Sequence, residues 1–385
     1  MNRPMTARQV SRPSGVAFLA GPLGRGGAEQ QLYYLLEGLD RGRWSPLVIH
    51  VSDDPDAYWV RPMQELGVPV FHVGRSRGRV GRILRIAALL KEHSTDIVHS
   101  TLLYLNPYAV AAGRVARVKV RIGGICEDAP GAPQLGSLRW LGYHGCDVLV
   151  SNFRAASRNL SARVKASTPY RVVYSGIPTS PLASEAERRC FRQTLGCGGD
   201  GPIVGAVGRV DSNKNFALLV RAFALIAPKW PTCRLLIVGD GPVRAGLADL
   251  AAGLGLKDKV LLPGRVPGSA QSTIFPAFDV ACLSSRSEGF PIALMEASMA
   301  GVPVVSTSCG GTPELVDEAV TGYLVGRDDS VAMAAGIDRL LADPCHARRL
   351  GGAGRERMIR DFSVSRMVEG TEAVYQEALE MRCVA

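Results

Sequence analysis

The chain has 385 residues, 46% of them apolar and 21% charged, which is the composition of a globular protein with about two domains of ordinary size. No apolar run approaches the ~18 residues a membrane span needs, and nine scattered cysteines with no Cys-x-x-Cys pair argue against both a disulfide framework and a zinc site. The formal charge of +10 is uneven: residues 1–178 hold 23 Lys and Arg against 12 Asp and Glu, whereas residues 179–385 hold 22 against 23.

Residues 1–14 are polar and basic, lack the apolar centre of a signal peptide, and read as a flexible basic tail. Gly15–Ala20 is a first strand candidate. A glycine-rich loop, Gly21–Gly27, and a helical stretch, Ala28–Leu39, follow it. Gly26 and Gly27 would offer backbone N–H groups at that helix's N-terminus, or would simply make a tight turn. Further strands are expected at Leu47–Val51, Val68–Val73, Ile97–His99, Val120–Gly124, Val148–Val150 and Val172–Tyr174, with helices such as Arg82–His93 and Pro107–Ala116 between them. That alternation implies a parallel, doubly wound sheet over residues 15–178. Five arginines, Arg75, Arg77, Arg79, Arg82 and Arg85, fall within eleven residues. They fit a solvated loop and helix face, or a surface that meets anionic lipid or a phosphate-bearing acceptor. No helix-turn-helix, zinc-finger or aromatic-basic pattern points to nucleic acid.

Residues 179–361 repeat the alternation as a second domain. Strands are expected at Ile203–Val207, Leu235–Val238, Val260–Leu262, Val280–Leu283, Val304–Ser306 and Tyr323–Val325. Two clusters sit where a strand gives way to a helix. The first runs from Gly208-Arg209 to Lys214-Asn215, ahead of a helical run at Phe216–Ile226. Two cations beside free helix N–H groups, at the carboxyl edge of a sheet, suit a diphosphate. The second is Ser287-Glu288-Gly289-Phe290-Pro291, with Pro291 read as the first helical residue. Glu288 would reach sugar hydroxyls, and Gly289 lets a ligand approach the backbone. Glu296 lies in an otherwise apolar helix and needs a partner, either a ribose diol or a salt bridge within the protein. Thr312-Pro313-Glu314 reads as a helix N-cap, first residue and first-turn acid.

These residues resemble the retaining glycosyltransferases of family 4. The Gly-Arg-x4-Lys-Asn stretch and the Glu288-x7-Glu296 pair are the most specific parts. Gly26-Gly27-Ala28-Glu29, Gly239-Asp240-Gly241-Pro242 and Gly310-Gly311-Thr312-Pro313-Glu314 follow in the family's order. The resemblance covers nearly the whole chain. It implies the GT-B fold, in which two doubly wound Rossmann-like domains face each other across a cleft. A terminal helix, residues 362–385, would cross back onto the first domain. The implied activity is transfer of a sugar from a nucleotide diphosphate sugar, UDP- or GDP-linked, to an acceptor hydroxyl with retention. The acceptor would be a sugar or a lipid-linked sugar of cell-surface polysaccharide or glycolipid synthesis. Arg209, Lys214 and Glu288 would be catalytic. Gly26, Gly27, Gly208, Asp240, Val266, Gly289, Phe290 and Glu296 would bind the donor.

Many relatives carry a His after the fifth strand; here Cys126, Glu127 or Asp128 stands there. Glu127, Asp128 and the strand-end His99 are candidates for the acceptor side, although His99 fits a structural role equally. Asp54-Pro55-Asp56 matches the metal-binding Asp-x-Asp of the other main glycosyltransferase fold but reads as a turn. No metal or cofactor is therefore expected. The enzyme is expected in the cytoplasm, with the arginine run as its contact to the inner face of the cell membrane. Rival readings on the same fold are a sugar-nucleotide epimerase, a phosphorylase, or an inactive nucleotide-sugar-binding protein.

Overall fold

The structure, a computed structural model, describes residues 12–53, 56–74, 78–126, 137–156, 168–199, 201–266 and 274–384. Glu127, Asp128, Arg75, Arg77, Asp54 and Pro55 lie outside the described residues.

A first, seven-stranded parallel sheet contains β1 (Ser14–Ala20), β2 (Trp44–His50), β3 (Val70–His72), β4 (Thr95–Ser100), β5 (Val120–Ile125), β6 (Val148–Ser151) and β7 (Tyr170–Val172). Its spatial order is β3-β2-β1-β4-β5-β6-β7. The helices between its strands include α1 (Gly27–Gly38), α2 (Val60–Glu65), α3 (Gly78–Glu92), α4 (Asn106–Ala116) and α5 (Ser137–His144). A second sheet contains β8 (Ile203–Val207), β9 (Arg234–Val238), β10 (Val260–Gly264), β11 (Val280–Leu283), β12 (Val304–Thr307) and β13 (Gly322–Val325), in the order β10-β9-β8-β11-β12-β13. Its helices are α6 (Glu185–Thr194), α7 (Phe216–Ile226), α8 (Arg244–Gly253), α9 (Ile292–Met299), α10 (Thr312–Leu315), α11 (Ser330–Ala342) and α12 (Pro344–Asp361). The chain ends in α13 (Val364–Val384).

Each sheet reverses its winding once, at β1/β4 and at β8/β11. Central strands such as β8 are buried along their whole length, which is why they read as continuous apolar runs. Helices cover both faces. α3 and α4 close one face of the first sheet, while α1 and α13 close the other, where Tyr375, Val374 and Met367 pack with Phe18 and Leu36. The terminal helix thus packs on the first sheet, and a bridge between Ile177 and Ser363 ties the two crossing segments together. A further core joins the two halves: Ile125, Tyr143 and Phe153 from the first pack with Phe290, Leu294 and Met295 from the second.

Local chemistry shifted some expected boundaries. Val68 and Val73 are buried but flank β3 rather than extend it, and Pro69, between Val68 and the strand, has no N–H to give a ladder. Pro291 is the N-cap of α9, at φ −75° and ψ 107°, and not its first residue. Thr312 begins α10 with Gly311 at the cap. Its hydroxyl turns back to the carbonyls of Thr307 and Cys309, so it ties the strand's exit to the helix instead of capping.

Candidate active site

The two sequence clusters follow β8 and β11, the pair of strands between which the second sheet reverses. A crevice at that switch point is the usual ligand position in an open α/β sheet. The loops also bind each other. Arg286 N–H donates to Asn213 O at 2.8 Å, and Asn213 Nδ2 donates to Ser287 O at 2.8 Å. Ser284 Oγ donates to Lys214 O at 2.8 Å.

Within this frame Lys214 Nζ lies 2.5 Å from Glu288 Oε1. Ser285 Oγ donates to the same carboxylate oxygen at 2.5 Å. The Lys214 and Glu288 side chains are 22% and 10% exposed, so the pair is half-withdrawn from water and directional. Arg209 is different: it stands 73% exposed, with Nε 2.6 Å from Asp211 Oδ2. Asp211 also accepts the N–H groups of Asn213 and Lys214, each at 3.0 Å. Burial opposes its charge, but these N–H groups and the Arg209 guanidinium hold its carboxyl below the usual carboxylate range. Asp211 therefore organises the loop that carries both cations.

Gly208 follows β8 directly, and its N–H donates to Val238 O at the end of β9 at 3.0 Å. Gly239 there has φ +144°, and a Cβ on it would fall 1.8 Å from Gly208 O, so only glycine fits. Asp240 is exposed, and its carboxylate accepts the N–H of Gly241 at 2.8 Å. Val266 is partly buried against the core shared by the two halves. Phe290 is buried too, with its ring centroid 5.4 Å from that of Tyr174 and 5.6 Å from that of Phe362. Its side chain is a packing group, which leaves its backbone for any ligand contact.

The first sheet meets this site edge to edge. Gly26 is the extended N-cap of α1, and Gly27 lies against Ile292 of α9, where a Cβ would come 3.0 Å from Ile292 Cγ1. A Cβ on Gly289 would meet the carbonyl of Cys126 at 2.1 Å, so the donor-side loop abuts the exit of β5. Glu314 accepts the N–H groups of Arg154 and Ala155 and the Tyr174 hydroxyl, at 2.8, 2.8 and 2.9 Å. Glu296 accepts a hydrogen bond from Gln30 Nε2 on α1 at 3.2 Å. Burial pushes its pKa up to about 7, while the Gln30 hydrogen bond pulls the other way.

His99 is not brought to this cleft. It is buried under α13, its Nδ1 2.8 Å from the Tyr375 hydroxyl and its ring against Phe18. Burial pushes its pKa down to about 4, so it is a neutral interior imidazole. That corrects its expected place beside an acceptor. Sequence reasoning also missed Gln30, Ser285, Asp211 and Glu314 as bonded neighbours of the site. Gln30 and Ser285 had weak signals: one follows the Gly-Gly-Ala-Glu stretch directly, and the other stands three residues before Glu288.

A family model described as glycosyl transferases group 1 matches residues 187–357. An uncharacterised glycosyltransferase of Methanocaldococcus jannaschii is 30% identical over 270 residues, which are 68% of this chain and 67% of that protein. The chain belongs to the glycosyl transferases group 1 family. This glycosyltransferase is also 26% identical over 303 residues to the N-acetyl-alpha-D-glucosaminyl L-malate synthase of Bacillus anthracis, covering 77% of this chain and 78% of the relative. Among solved structures, Anabaena HepE in complex with UDP and glucose is similar with a TM-score of 0.83 and 20% identity, over 94% of this chain and 100% of that one. The glycosyltransferase thus has the GT-B fold, two doubly wound domains facing across a cleft.

Proposed function

We propose that this glycosyltransferase moves a sugar from a UDP-linked donor to a hydroxyl of a sugar or lipid-linked acceptor, with retention of anomeric configuration. The carrying observation is the Lys214–Glu288 pair at the switch point of the second sheet, with Arg209 exposed beside it. UDP is the base favoured here because HepE, similar in fold, was solved with UDP and glucose; a GDP-linked donor is the rival.

In this reading the diphosphate lies against Arg209 and Lys214. Breaking the glycosyl–phosphate bond leaves negative charge on the diphosphate, and cations already held in place stabilise it without reorganisation. Glu288 holds donor-sugar hydroxyls, and Glu296 holds the ribose. Same-face attack, with the leaving phosphate taking the acceptor's proton, needs no separate base. Two fixed cations supply the positive charge that a metal ion would otherwise bring, so the reaction is read as metal-independent. Turnover unchanged by EDTA is the matching result. The acceptors in view are those of cell-surface polysaccharide or glycolipid synthesis, which places the work in the cytoplasm at the inner face of the membrane.

The test is thermal unfolding with a panel of nucleoside diphosphates and nucleotide sugars. A ligand bound only to the folded state adds about 2.7 kcal/mol at a hundredfold excess over Kd. UDP and its sugars should raise Tm, and Arg209→Ala and Glu296→Ala should abolish the shift. Stabilisation by GDP alone would replace the base; stabilisation by none would end the donor reading. Product stereochemistry, read by NMR, decides retention.

A further inference from the structure

The run Gly310-Gly311-Thr312-Pro313-Glu314 holds the loop of Glu288 and Gly289 at one end and the first half of the molecule at the other. At the loop end, Gly311 N–H donates to Gly289 O at 2.8 Å. Gly310 has φ +52°, and a Cβ there would fall 1.7 Å from Glu288 O; only glycine lets two backbones come this close. A Cβ on Gly311 would lie 2.7 Å from Gly289 O and 3.2 Å from Phe153 Cβ. The backbone of Glu288 and Gly289 is therefore set by where this run sits.

At the other end, the Glu314 carboxylate accepts three hydrogen bonds, all from the first half. Oε2 takes the Arg154 N–H at 2.8 Å and the Tyr174 hydroxyl at 2.9 Å, and Oε1 takes the Ala155 N–H at 2.8 Å. Arg154 and Ala155 open a helical turn after β6. The first N–H groups of such a turn have no partner within it, and negative charge is favoured there. Tyr174 lies after β7, where the chain leaves the first half. Burial, then the bond to Glu314 and its charge, push the Tyr174 pKa up to about 12, so the phenol keeps the proton it donates. Its ring centroid is 5.4 Å from that of Phe290, next to Gly289, and 5.2 Å from that of Phe362, where the chain returns. Within the second half, Arg357 Nη2 donates to the Glu314 carbonyl at 3.0 Å. Charge-assisted bonds converging on one carboxylate fix direction as well as distance.

We propose that Glu314 is a positioning residue for sugar transfer: it sets how the first half meets the second, and Gly310 and Gly311 carry that setting to Glu288 and Gly289. The inference rests on the reading of those two residues as donor contacts. In that reading the donor sugar lies between Glu288 and Gly289 on one side and Gly26 and Gly27 on the other, so the reacting geometry depends on how the halves meet. A misplacement of about 1 Å costs on the order of a hundredfold in rate.

The experiment compares the full chain with Glu314→Ala, Glu314→Gln and Tyr174→Phe by small-angle scattering, by thermal shift with UDP, and by UDP released from UDP-glucose with octyl glucoside offered as acceptor. Glu314→Ala should enlarge the radius of gyration and lower kcat about a hundredfold. The rise in Tm on adding UDP should stay as in wild type, because Arg209, Lys214 and Glu296 are untouched. Tyr174→Phe keeps the ring on Phe290 and Phe362 and should lower kcat about fivefold, the worth of one hydrogen bond. Added to Glu314→Ala it should cost nothing further, because the hydroxyl acts through the carboxylate. If Glu314→Ala fails to fold, Glu314→Gln and Tyr174→Phe carry the test, with kcat lowered at an unchanged UDP shift. An unchanged radius in Glu314→Ala overturns the proposal, and so does wild-type kcat in a variant whose Tm has fallen, since Glu314 is then only a structural tie. Loss of the UDP shift together with kcat also overturns it, because the donor loop itself is then deformed. A wild type that UDP does not stabilise ends the donor reading instead, and the radius alone then decides whether Glu314 sets how the halves meet.

Discussion

Gln30 and Glu296, 266 residues apart in the chain, meet across the cleft at 3.2 Å. The amide donates to the carboxylate, and its second contact, Tyr34 OH at 2.9 Å, keeps it on α1. The carboxylate read as the ribose holder is therefore oriented from the opposite half of the molecule.

The raised pKa of Glu296, about 7 against an ordinary 4.5, gives two pH dependences of opposite sign. For stability, the folded chain favours the protonated form. This contribution is fully present below pH 4.5 and is lost as pH rises through about 7. For nucleotide binding, the carboxylate is the useful form, so affinity should weaken by about tenfold per pH unit below 7. Glu296→Gln should flatten both curves, raising stability at pH 8 by ~1 kcal/mol while weakening nucleotide binding. Gln30→Leu should move the affinity midpoint upward, because it removes the bond that favours the charged form. Calorimetric titration of UDP on either side of pH 7 reads these effects; a flat wild-type profile would count against the ribose role.

Arg209→Ala and Lys214→Ala should part company. Both should lower kcat by about a hundredfold or more, the usual loss for a preorganised charge-stabilising donor. Arg209 is exposed, so its removal should change stability by less than ~0.5 kcal/mol. Lys214 neutralises a carboxylate that is 10% exposed, so its loss should destabilise by ~3 kcal/mol. Lys214→Ala combined with Glu288→Gln should recover much of that stability without recovering activity. Urea unfolding alongside initial rates checks both halves.

Gly289→Ala sets a methyl 2.1 Å from Cys126 O, where a real Cβ cannot sit. The two halves must then separate at this point. A stability loss of ~2 kcal/mol is expected, with a fall in kcat/KM. Small-angle scattering should show a larger radius of gyration. An unchanged radius with full activity would mean that the contact does not set how the two halves meet.

His99→Phe tests the interior reading. It leaves the Tyr375 hydroxyl without its 2.8 Å partner, which should cost ~1–3 kcal/mol. KM for the acceptor should stay near the wild-type value. A large rise in acceptor KM with unchanged Tm would return His99 to the cleft.

Much of the fold was legible because its signals are local. Ile203–Val207 and Phe216–Ile226 match their expected limits, since a buried parallel strand and an apolar-faced helix each write their period into a few residues. Pro291 and Thr312 misled by one position each, because a cap depends on where the first hydrogen bond closes, and sequence shows only which residues suit the neighbourhood. The site divides the same way. Arg209, Lys214 and Glu288 were readable as chemistry at strand ends. That Lys214 and Glu288 share a hydrogen bond was not, since it follows from β8 and β11 being neighbours although two strands separate them in the chain.

By itself the sequence determined two parallel sheets and the loops that carry charge, because both follow from patterns within a few residues. The tertiary structure decided partners. It sent His99 inward beneath the terminal helix and turned Arg82 to Tyr108 while leaving Arg85 outside. It also set Gln30 against Glu296 and Gly289 against Cys126. Each depends on how separate elements pack, and a packing partner on another element, 26 residues away for Arg82 and 276 for His99, leaves no period in the local sequence.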